Sequence, residues 1–229
     1  MTSWTKLPLA CADLETTGVE IGTDRIVTAF IGRIDGADIA RRHWVANPGI
    51  PISAEATEIH GYTDEYVQKH GHPHAEVVAE VVADLYRVWD EGRIVAVFNG
   101  AFDFSMLASH HRGFEIRGPI VDSYVLDREF DKYRKGSRKL SAVAIHYRVS
   151  LDNAHDAEGD AVAAARLAWR LPRIYPALAE MTADELMAAQ AHWYRERAYS
   201  FIDWLRRKGE SFTDVPTEWP IYSTKAEAA

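Results

Sequence analysis

The sequence has little cysteine and no long apolar run. Cys11 is the single cysteine among 229 residues, so an internal disulfide and a zinc site built from several cysteines are excluded. No apolar segment approaches the roughly 20 residues that a helix needs to cross a bilayer. Residues 1–8 lack the basic stretch and apolar core of a signal peptide. These absences predict a cytoplasmic protein with no membrane contact.

Positive charge is scarce as well. The chain has 26 lysines and arginines against 34 aspartates and glutamates, which gives a formal net charge of −8. An acidic protein has no general attraction for nucleic acid, so a long, sequence-independent grip on DNA is not expected. A short contact at one strand end remains compatible, because divalent cations neutralise carboxylates. Apolar residues make up 47% of the chain, which is enough for a sizeable core.

The order of strand and helix patterns is typical of an α/β domain. Asp35-Gly36 is a hairpin signal, so the first three strands are expected to form an antiparallel meander. Strands are predicted over residues 7–13, 25–34, 38–47, 94–98 and 120–121. Helices are predicted over residues 75–89, 102–111, 123–130, 140–147 and 158–171. Residues 53–74 are predicted as a loop. A meander followed by alternating helices and strands indicates a mixed sheet covered on both faces.

Prolines set the C-terminal part of the chain apart. Pro172 and Pro176 mark a candidate boundary, which predicts a domain over residues 1–175 and a helical extension with a tail over 176–229.

The extension contains one long amphipathic pattern. Thr182 and Glu185 form a capping-box signature that opens a helix reaching about Arg207. Its inner side is expected to carry Leu186, Ala189, Trp193, Phe201, Trp204 and Leu205. In the alternative interpretation, this segment is a docking element for a DNA polymerase. Its anchors would be Tyr194, Tyr199, Trp204 and Trp219.

A pair of acids follows the first apolar strand. Residues i and i+2 of a strand point to the same face, so Asp13 and Glu15 present two carboxylates side by side. Like charges this close need a cation or a raised pKa. Oxygen ligands of this kind suit Mg²⁺ or Mn²⁺. Taken alone, the pair also fits two solvated acids at a strand end.

Two further segments place acids at helix starts. Asp103 falls in the first turn of a helix after an apolar strand, where ligands of α/β sheets often bind. It also fits an ordinary first-turn acid stabilised by the helix dipole. His155 precedes Asp160 by five residues, which suits a histidine on a loop and an acid one turn inside the helix. A capped helix start with a surface histidine is the alternative.

In this order and spacing, the segments resemble the motifs of the DEDDh family of 3′→5′ exonucleases. That family includes proofreading subunits and domains of bacterial replicative polymerases. The resemblance runs over about residues 7–172 and rests on residues 13–18, 56–65, 99–103 and 155–160. It implies a ribonuclease-H-like α/β fold with a mixed five-stranded sheet flanked by helices. Phe98 and Gly100 depart from the pattern, where relatives often carry histidine and alanine.

The resemblance also implies a reaction. Two divalent cations, Mg²⁺ or Mn²⁺, would be held by Asp13, Glu15, Asp103 and Asp160. His155 would be the general base, and nucleoside 5′-monophosphates would leave the 3′ end of a single strand. The nucleotide at that end would meet Thr16, Thr17, Ile59, His60, Asn99 and Phe102. The resemblance favours DNA over RNA as substrate, with an RNA-trimming exoribonuclease as the alternative.

Two clusters stand apart from these motifs. A basic cluster precedes the third motif and is expected to contact phosphates, unless it is a solvated loop with a few ion pairs. Its members are Arg128, Lys132, Arg134, Lys135, Arg138 and Lys139. His70, His72 and His74 alternate near a proline, and we interpret them as a polar loop rather than a zinc site.

Overall fold

A mixed sheet forms the centre of the computed structural model, which describes residues 2–152 and 155–222. Its strands are β1 (Leu9–Thr16), β2 (Ile26–Asp35), β3 (Asp38–Asn47), β4 (His72–Pro73), β5 (Ile94–Val97) and β6 (Ile120–Asp122). They lie in the order β4-β3-β2-β1-β5-β6. The pairs β1–β2 and β2–β3 are antiparallel, whereas β5 runs parallel to β1 and to β6. The five predicted strands and the mixed α/β sheet are confirmed, and the two-residue β4 is an addition at the edge.

Helices cover the sheet. They are α1 (Ala54–His60), α2 (Asp64–His70), α3 (His74–Asp90), α4 (Ala101–His110), α5 (Ser123–Phe130), α6 (Leu140–Tyr147), α7 (Ala157–Ile174), α8 (Pro176–Glu180) and α9 (Ala183–Lys208). A short 3₁₀ helix spans Trp4–Lys6. The five helices predicted before residue 172 are confirmed within a few residues. Pro172 lies inside α7, which continues to its end at Ile174.

The loop predicted over residues 53–74 is wrong, because that segment forms α1, α2 and β4. The hydroxyls of Ser53 and Thr63 accept the N–H of the third residue of α1 and of α2, which is what helix N-caps do. Each helix has seven residues and buries a single side chain, Ala56 in α1 and Val67 in α2. Two turns with one buried residue carry too short an apolar period to be recognised in the sequence.

The core has two layers, one on each face of the sheet. Neighbouring residues of β1 enter different layers, because side chains alternate along a strand. Ala10 packs with α3 and α4, including Val81 and Phe104. Cys11 packs with Phe30 and with the apolar side of α7, including Leu167. The strand that carries Asp13 and Glu15 is therefore fixed from both faces.

The long C-terminal helix was predicted correctly in extent and only partly in orientation. The capping box of Thr182 and Glu185 is formed, and Leu186 is fully buried. Phe201 and Trp204 were predicted on the inner side, but they are 42% and 44% exposed. The buried stripe instead passes through Leu186, Gln190, Ala198 and Leu205, so the two aromatic side chains lie beside it. Residues 223–229 of the predicted extension lie outside the described residues.

Within the part of the chain that the structure describes, no helix combines the length and apolarity needed to cross a bilayer.

Candidate active site

The end of β1 brings three carboxylates together. Asp13 pairs with Phe30 of β2 and Glu15 with Thr28, so both acids point to the same face. A bulge between Glu15 and Thr16 ends the regular pairing directly after the pair. One carboxylate oxygen each of Asp13, Glu15 and Asp160 lie within 4.8 Å of one another. Across residues 2–152 and 155–222 this is the one such group of His, Cys, Asp or Glu with a metal-binding arrangement.

Helix α7 supplies Asp160. Ala157, Ala161 and Ala165 recur every fourth residue of α7, are buried and face the layer that contains Cys11. Small side chains on the inner face of a helix let its backbone lie close to a strand. Asp160 follows in the first turn of α7, and its Oδ1 accepts the backbone N–H of His155 at 3.3 Å. This packing sets the carboxylate opposite β1.

Asp103 approaches the same strand from α4. Its side chain is buried, and its Oδ1 accepts the backbone N–H of Leu14 at 3.1 Å, between Asp13 and Glu15. Gly100 is the N-cap residue of this helix. A Cβ atom on Gly100 would lie 2.8 Å from the Cβ of Val97. The glycine that departs from the family pattern is therefore required by the close packing of α4 on β5.

Burial raises the pKa of all four carboxylates, and the charges of neighbouring acids add to that effect. Burial, and then the charges of Asp103 and Glu15, raise the pKa of Asp13 well above its usual range. Burial and the neighbouring Asp160 raise the pKa of Glu15 to about 8. Burial raises the pKa of Asp103 to about 7. A site made of oxygen donors whose charges repel is the donor chemistry that a hard divalent cation fits.

His155 lies on the turn before α7. Its backbone has a left-handed conformation, with φ at 68°, and its side chain is exposed. The hydrogen bond from its amide to Asp160 ties this turn to the carboxylates. Among the described residues, the cluster of possible metal ligands consists of Asp13, Glu15 and Asp160 and does not include His155.

The residues predicted to meet a terminal nucleotide lie around the end of β1. His60 Nε2 is 3.3 Å from the carbonyl oxygen of Thr16, and its Nδ1 accepts the N–H of Tyr62 at 3.1 Å. Since a carbonyl can only accept, Nε2 carries the proton. Ile59 is 56% exposed, and Phe102 is partly buried beside Asp103.

The remaining two predicted contacts differ in exposure. Thr17 is buried, and its hydroxyl donates to Asp24 at 2.7 Å while accepting the N–H of Arg25 at 3.0 Å. Its side chain holds the turn after β1. Asn99 is exposed and has a φ of 63° at the end of β5.

Sequence analysis missed Asp122. This fully buried carboxylate accepts the backbone N–H of Asn99 at 2.9 Å and of Gly100 at 3.1 Å. It also accepts the indole N–H of Trp219 at 3.2 Å. Asp122 therefore fixes the loop that leads to Asp103. The available signal was an acid at the end of the apolar pair Ile120-Val121, directly before a helix.

The basic cluster is in part structural. Asp127 is fully buried and receives Arg134 at 2.9 Å and Arg138 at 2.8 Å. Lys132 pairs with Glu129 at 3.4 Å. For Arg134 and Arg138 the structure therefore favours the alternative of ion pairs, because both compensate the buried charge of Asp127.

The three histidines lie on α2, β4 and α3 rather than in a loop. His74 Nε2 accepts the N–H of Ile26 at 3.2 Å, and the ring of His70 packs on Tyr66 with centroids 4.7 Å apart. Cys11 is fully buried, and burial raises the pKa of its thiol to about 12.

Comparison with known proteins gives the family. The RNase T model, described as exonuclease, matches residues 11–168, which is more than half of the chain. The chain belongs to this exonuclease family. The matched range contains all four carboxylates and His155. The exonuclease region ends within α7, so α8, α9 and the tail lie beyond it.

Relatives and solved structures agree with this assignment. The exonuclease is 30% identical over 165 residues to DNA polymerase III PolC-type of Lacticaseibacillus paracasei, covering 70% of this chain but only 11% of that protein. It shares the fold of E. coli exonuclease I in complex with a dT13 oligonucleotide, with a TM-score of 0.59, 16% identity, and coverage of 75% and 43% of the two chains. Exonuclease X in complex with 5′ overhanging duplex DNA gives a TM-score of 0.54 at 19% identity, covering 80% of this chain and 99% of that one.

Proposed function

We propose that this exonuclease removes nucleotides one at a time from the 3′ end of single-stranded DNA and releases nucleoside 5′-monophosphates. The observation that carries the proposal is the group of carboxylates from Asp13, Glu15 and Asp160 at the end of β1. DNA as the substrate class is supported by the relative, which is a DNA polymerase, and by exonuclease I, whose structure contains a dT13 oligonucleotide.

The carboxylates would hold the cations. Asp13, Glu15 and Asp160 are close enough to share one divalent ion, Mg²⁺ or Mn²⁺. Asp103 would serve a second ion together with Asp13, because Asp103 is the acidic neighbour whose charge raises the pKa of Asp13 most. Two such ions, when bound, stabilise the attacking and leaving oxygens of an in-line displacement. The hydrogen bond from Leu14 orients Asp103 for this role.

His155 would take the proton of the attacking water. Histidine is the most frequent general base in enzymes, and this ring is exposed to solvent next to the ligand Asp160. The hydrogen bond between the His155 amide and Asp160 holds the turn, while the imidazole itself remains free of the ligand group.

The last nucleotide would lie against the end of β1. The backbone around Glu15 and Thr16 would meet the terminal sugar, with His60 held there by its hydrogen bond to Thr16. Exposed Ile59 and partly buried Phe102 offer apolar surface to the last base, and such contacts accept any base. Thr17 and Asn99 would stabilise the two turns that lie beside this nucleotide site.

The assay uses DNA and RNA single strands labelled at the 5′ or the 3′ end, with Mg²⁺, Mn²⁺ or chelator. A metal-dependent ladder that shortens 5′-labelled DNA from its 3′ end is the expected result. Faster trimming of RNA would show that RNA is the preferred substrate and would leave the proposed reaction unchanged. Release of nucleotides from the 5′ end, internal cuts, or no cleavage in any metal would contradict the proposal.

A DNA polymerase is the proposed partner, because the matched region of the L. paracasei relative belongs to a polymerase chain about nine times longer than the matched part. Tyr199 of α9 is 52% exposed and offers one contact. Mixing the exonuclease with a PolC-type polymerase catalytic fragment tests this by co-elution. Separate elution at micromolar concentration would contradict it.

A further inference from the structure

A groove of about 880 Å³ lies between α5, α9 and the segment 214–216. It reaches the active-site loop at Asn99, whose amide is bound by Asp122. One wall, formed by α9, lies outside the range of the family model. The groove is therefore continuous with the candidate active site, but it is not part of the family's shared motifs.

The residues that line the groove carry a positive net formal charge, whereas the whole chain is negatively charged. Its lining holds six basic side chains, Arg128, Lys132, Arg134, Arg138, Arg197 and Arg207, and three acidic ones, Glu129, Glu196 and Asp214. The whole chain has a formal net charge of −8. Arg134 and Arg138 are bound to Asp127, but Arg128 of α5 and Arg197 and Arg207 of α9 form no ion pair with another described residue. Cations that face each other across a groove favour an anionic occupant.

Aromatic rings alternate with these cations. Phe201 and Trp204 are stacked, with centroids 5.8 Å apart and planes within 12°, and both are more than two fifths exposed. Tyr133 of the opposite wall is 87% exposed. Large apolar rings beside cations along an open groove are typical of surfaces that bind single-stranded nucleic acid, where bases stack and phosphates meet Arg or Lys.

We propose that this groove binds the single-stranded DNA upstream of the 3′ end, with bases on Phe201 and Trp204 and phosphates at Arg197 and Arg207. The positive lining and the continuity with Asn99 argue for a strand that leads into the active site. The direction of that strand rests on the proposed function, whereas the binding itself does not.

Fluorescence anisotropy in chelator measures this binding without cleavage. The probes are 5′-fluorescein oligothymidylates of 4 and 16 nucleotides, and the protein is the full chain. Trp204→Ala is expected to weaken the 16-mer about 10-fold, because one stacking contact is worth ~1–3 kcal/mol. Arg207→Ala should weaken it several-fold and lower the slope of log Kd against log salt by about 0.7. Both variants should bind the 4-mer within about 2-fold of wild type.

The chain offers a matched control on α7. Trp169 is 57% exposed, and the Arg173 guanidinium lies 3.4 Å from its ring centroid, but neither residue lines the groove. The double variant Trp169→Ala, Arg173→Ala should bind both probes as wild type does. An equal loss of 16-mer affinity in this control would overturn the proposal.

Three further outcomes would overturn it. The first is wild-type affinity for the 16-mer in both Trp204→Ala and Arg207→Ala. The second is equal affinity of the wild type for both probes. The third is a concentration-dependent dimer that dissociates in Trp204→Ala. The last would assign the groove to a second copy of the chain. Cleavage of the 4-mer by the groove variants separates this test from the test of the proposed function. A variant that loses affinity for the 16-mer but still trims the 4-mer reports on the groove alone. Absent trimming with intact length-dependent binding would contradict the reaction only.

Discussion

Asp13 is the carboxylate that is repelled by the other acids of the site. Burial raises its pKa most, and the charges of Asp103, Glu15 and Asp160 raise it further. We expect Asp13→Asn to abolish trimming, because the ligand cluster loses its central charge. The same change should raise the free energy of unfolding in chelator by on the order of 1 kcal/mol, since one of four repelling carboxylates is gone. Thermal denaturation with and without Mg²⁺ checks this, and the Mg²⁺-dependent rise in Tm should disappear. An active variant, or one destabilised in chelator, would contradict the assignment.

His155 provides a separable prediction. His155→Ala should lower kcat by about 10²–10⁴-fold, the usual contribution of a general base, while the Mg²⁺-dependent rise in Tm is retained. The retention is expected because His155 is outside the carboxylate cluster. His192→Ala, an exposed histidine on α9, is the control and should leave kcat unchanged. Turnover like that of wild type in His155→Ala would exclude the general-base role.

His74 predicts a pH dependence of stability. Burial, then the nearby His110 and Arg25, lower its pKa from 6.5 to about 4, and its Nε2 must stay unprotonated to accept the N–H of Ile26. Between pH 6.5 and 4, His74 is therefore protonated in the unfolded chain and unprotonated in the folded chain. Its contribution to stability is complete above pH 6.5 and is lost as the pH falls towards 4.

The size of this effect follows from the shift. A fully buried ring with this shift would contribute about 3 kcal/mol, and partial exposure reduces that to about 1–2 kcal/mol. Urea denaturation of wild type and His74→Gln at pH 7.5 and 4.5 measures the difference. The loss on acidification should be about 1–2 kcal/mol smaller in the variant, and equal losses would show that His74 is not the titrating group. His72→Gln, on the exposed edge strand, should behave as wild type.

At the level of elements, α9 covers the open edge of the sheet, and Gln190 makes two of its hydrogen bonds to β6. Gln190 is fully buried, accepts the N–H of Asp122 at 2.7 Å and donates to the carbonyl of Ile120 at 3.0 Å. Together with the N–H of Ile120, which Met187 Sδ accepts at 3.1 Å, these are backbone groups that a further strand beside β6 would satisfy. A glutamine side chain thus substitutes for a neighbouring strand and protects an edge that would otherwise be left unpaired.

Removing that side chain should be costly. Gln190→Leu keeps the volume but leaves a buried N–H and a buried carbonyl without partners, each worth about 1–3 kcal/mol. We expect the free energy of unfolding to fall by about 2–4 kcal/mol, as measured by urea denaturation. The exposed Gln68→Leu on α2 is the control and should change it by less than about 0.5 kcal/mol. A loss in Gln190→Leu no larger than in the control would mean that the edge is satisfied otherwise.

These contacts also show how far the sequence could predict the elements. The side-by-side placement of Asp13 and Glu15 follows from strand geometry over three residues, so it was predictable. Gln190 and Asp122 are 68 residues apart, and nothing in either local pattern indicates their contact. The orientation of Phe201 and Trp204 failed for a related reason. Both fit an apolar stripe, but the stripe alone does not tell which part of it a neighbouring element covers.

For the whole molecule, the folded core extends beyond the residues that match the family. The model of the family ends at residue 168, whereas Leu178 and Leu186 are fully buried in the layer that contains Cys11 and Leu167. The family could be predicted because the spacing within each motif is local and the order of the motifs is shared. The role of the extension could not, because burial of a helix depends on the surface that it meets.

Truncation after Glu180 distinguishes a structural extension from a docking arm. The shortened chain would lose Leu186, Gln190 and Trp219, which fill the core, satisfy β6 and bind Asp122, respectively. Because buried apolar surface and buried polar groups would both be uncovered, we expect aggregation or loss of a cooperative thermal transition, together with loss of trimming. Gel filtration, thermal denaturation and the trimming assay measure these outcomes. A soluble, cooperatively folded and active fragment would show that α9 contributes little to the fold and serves mainly to bind a partner.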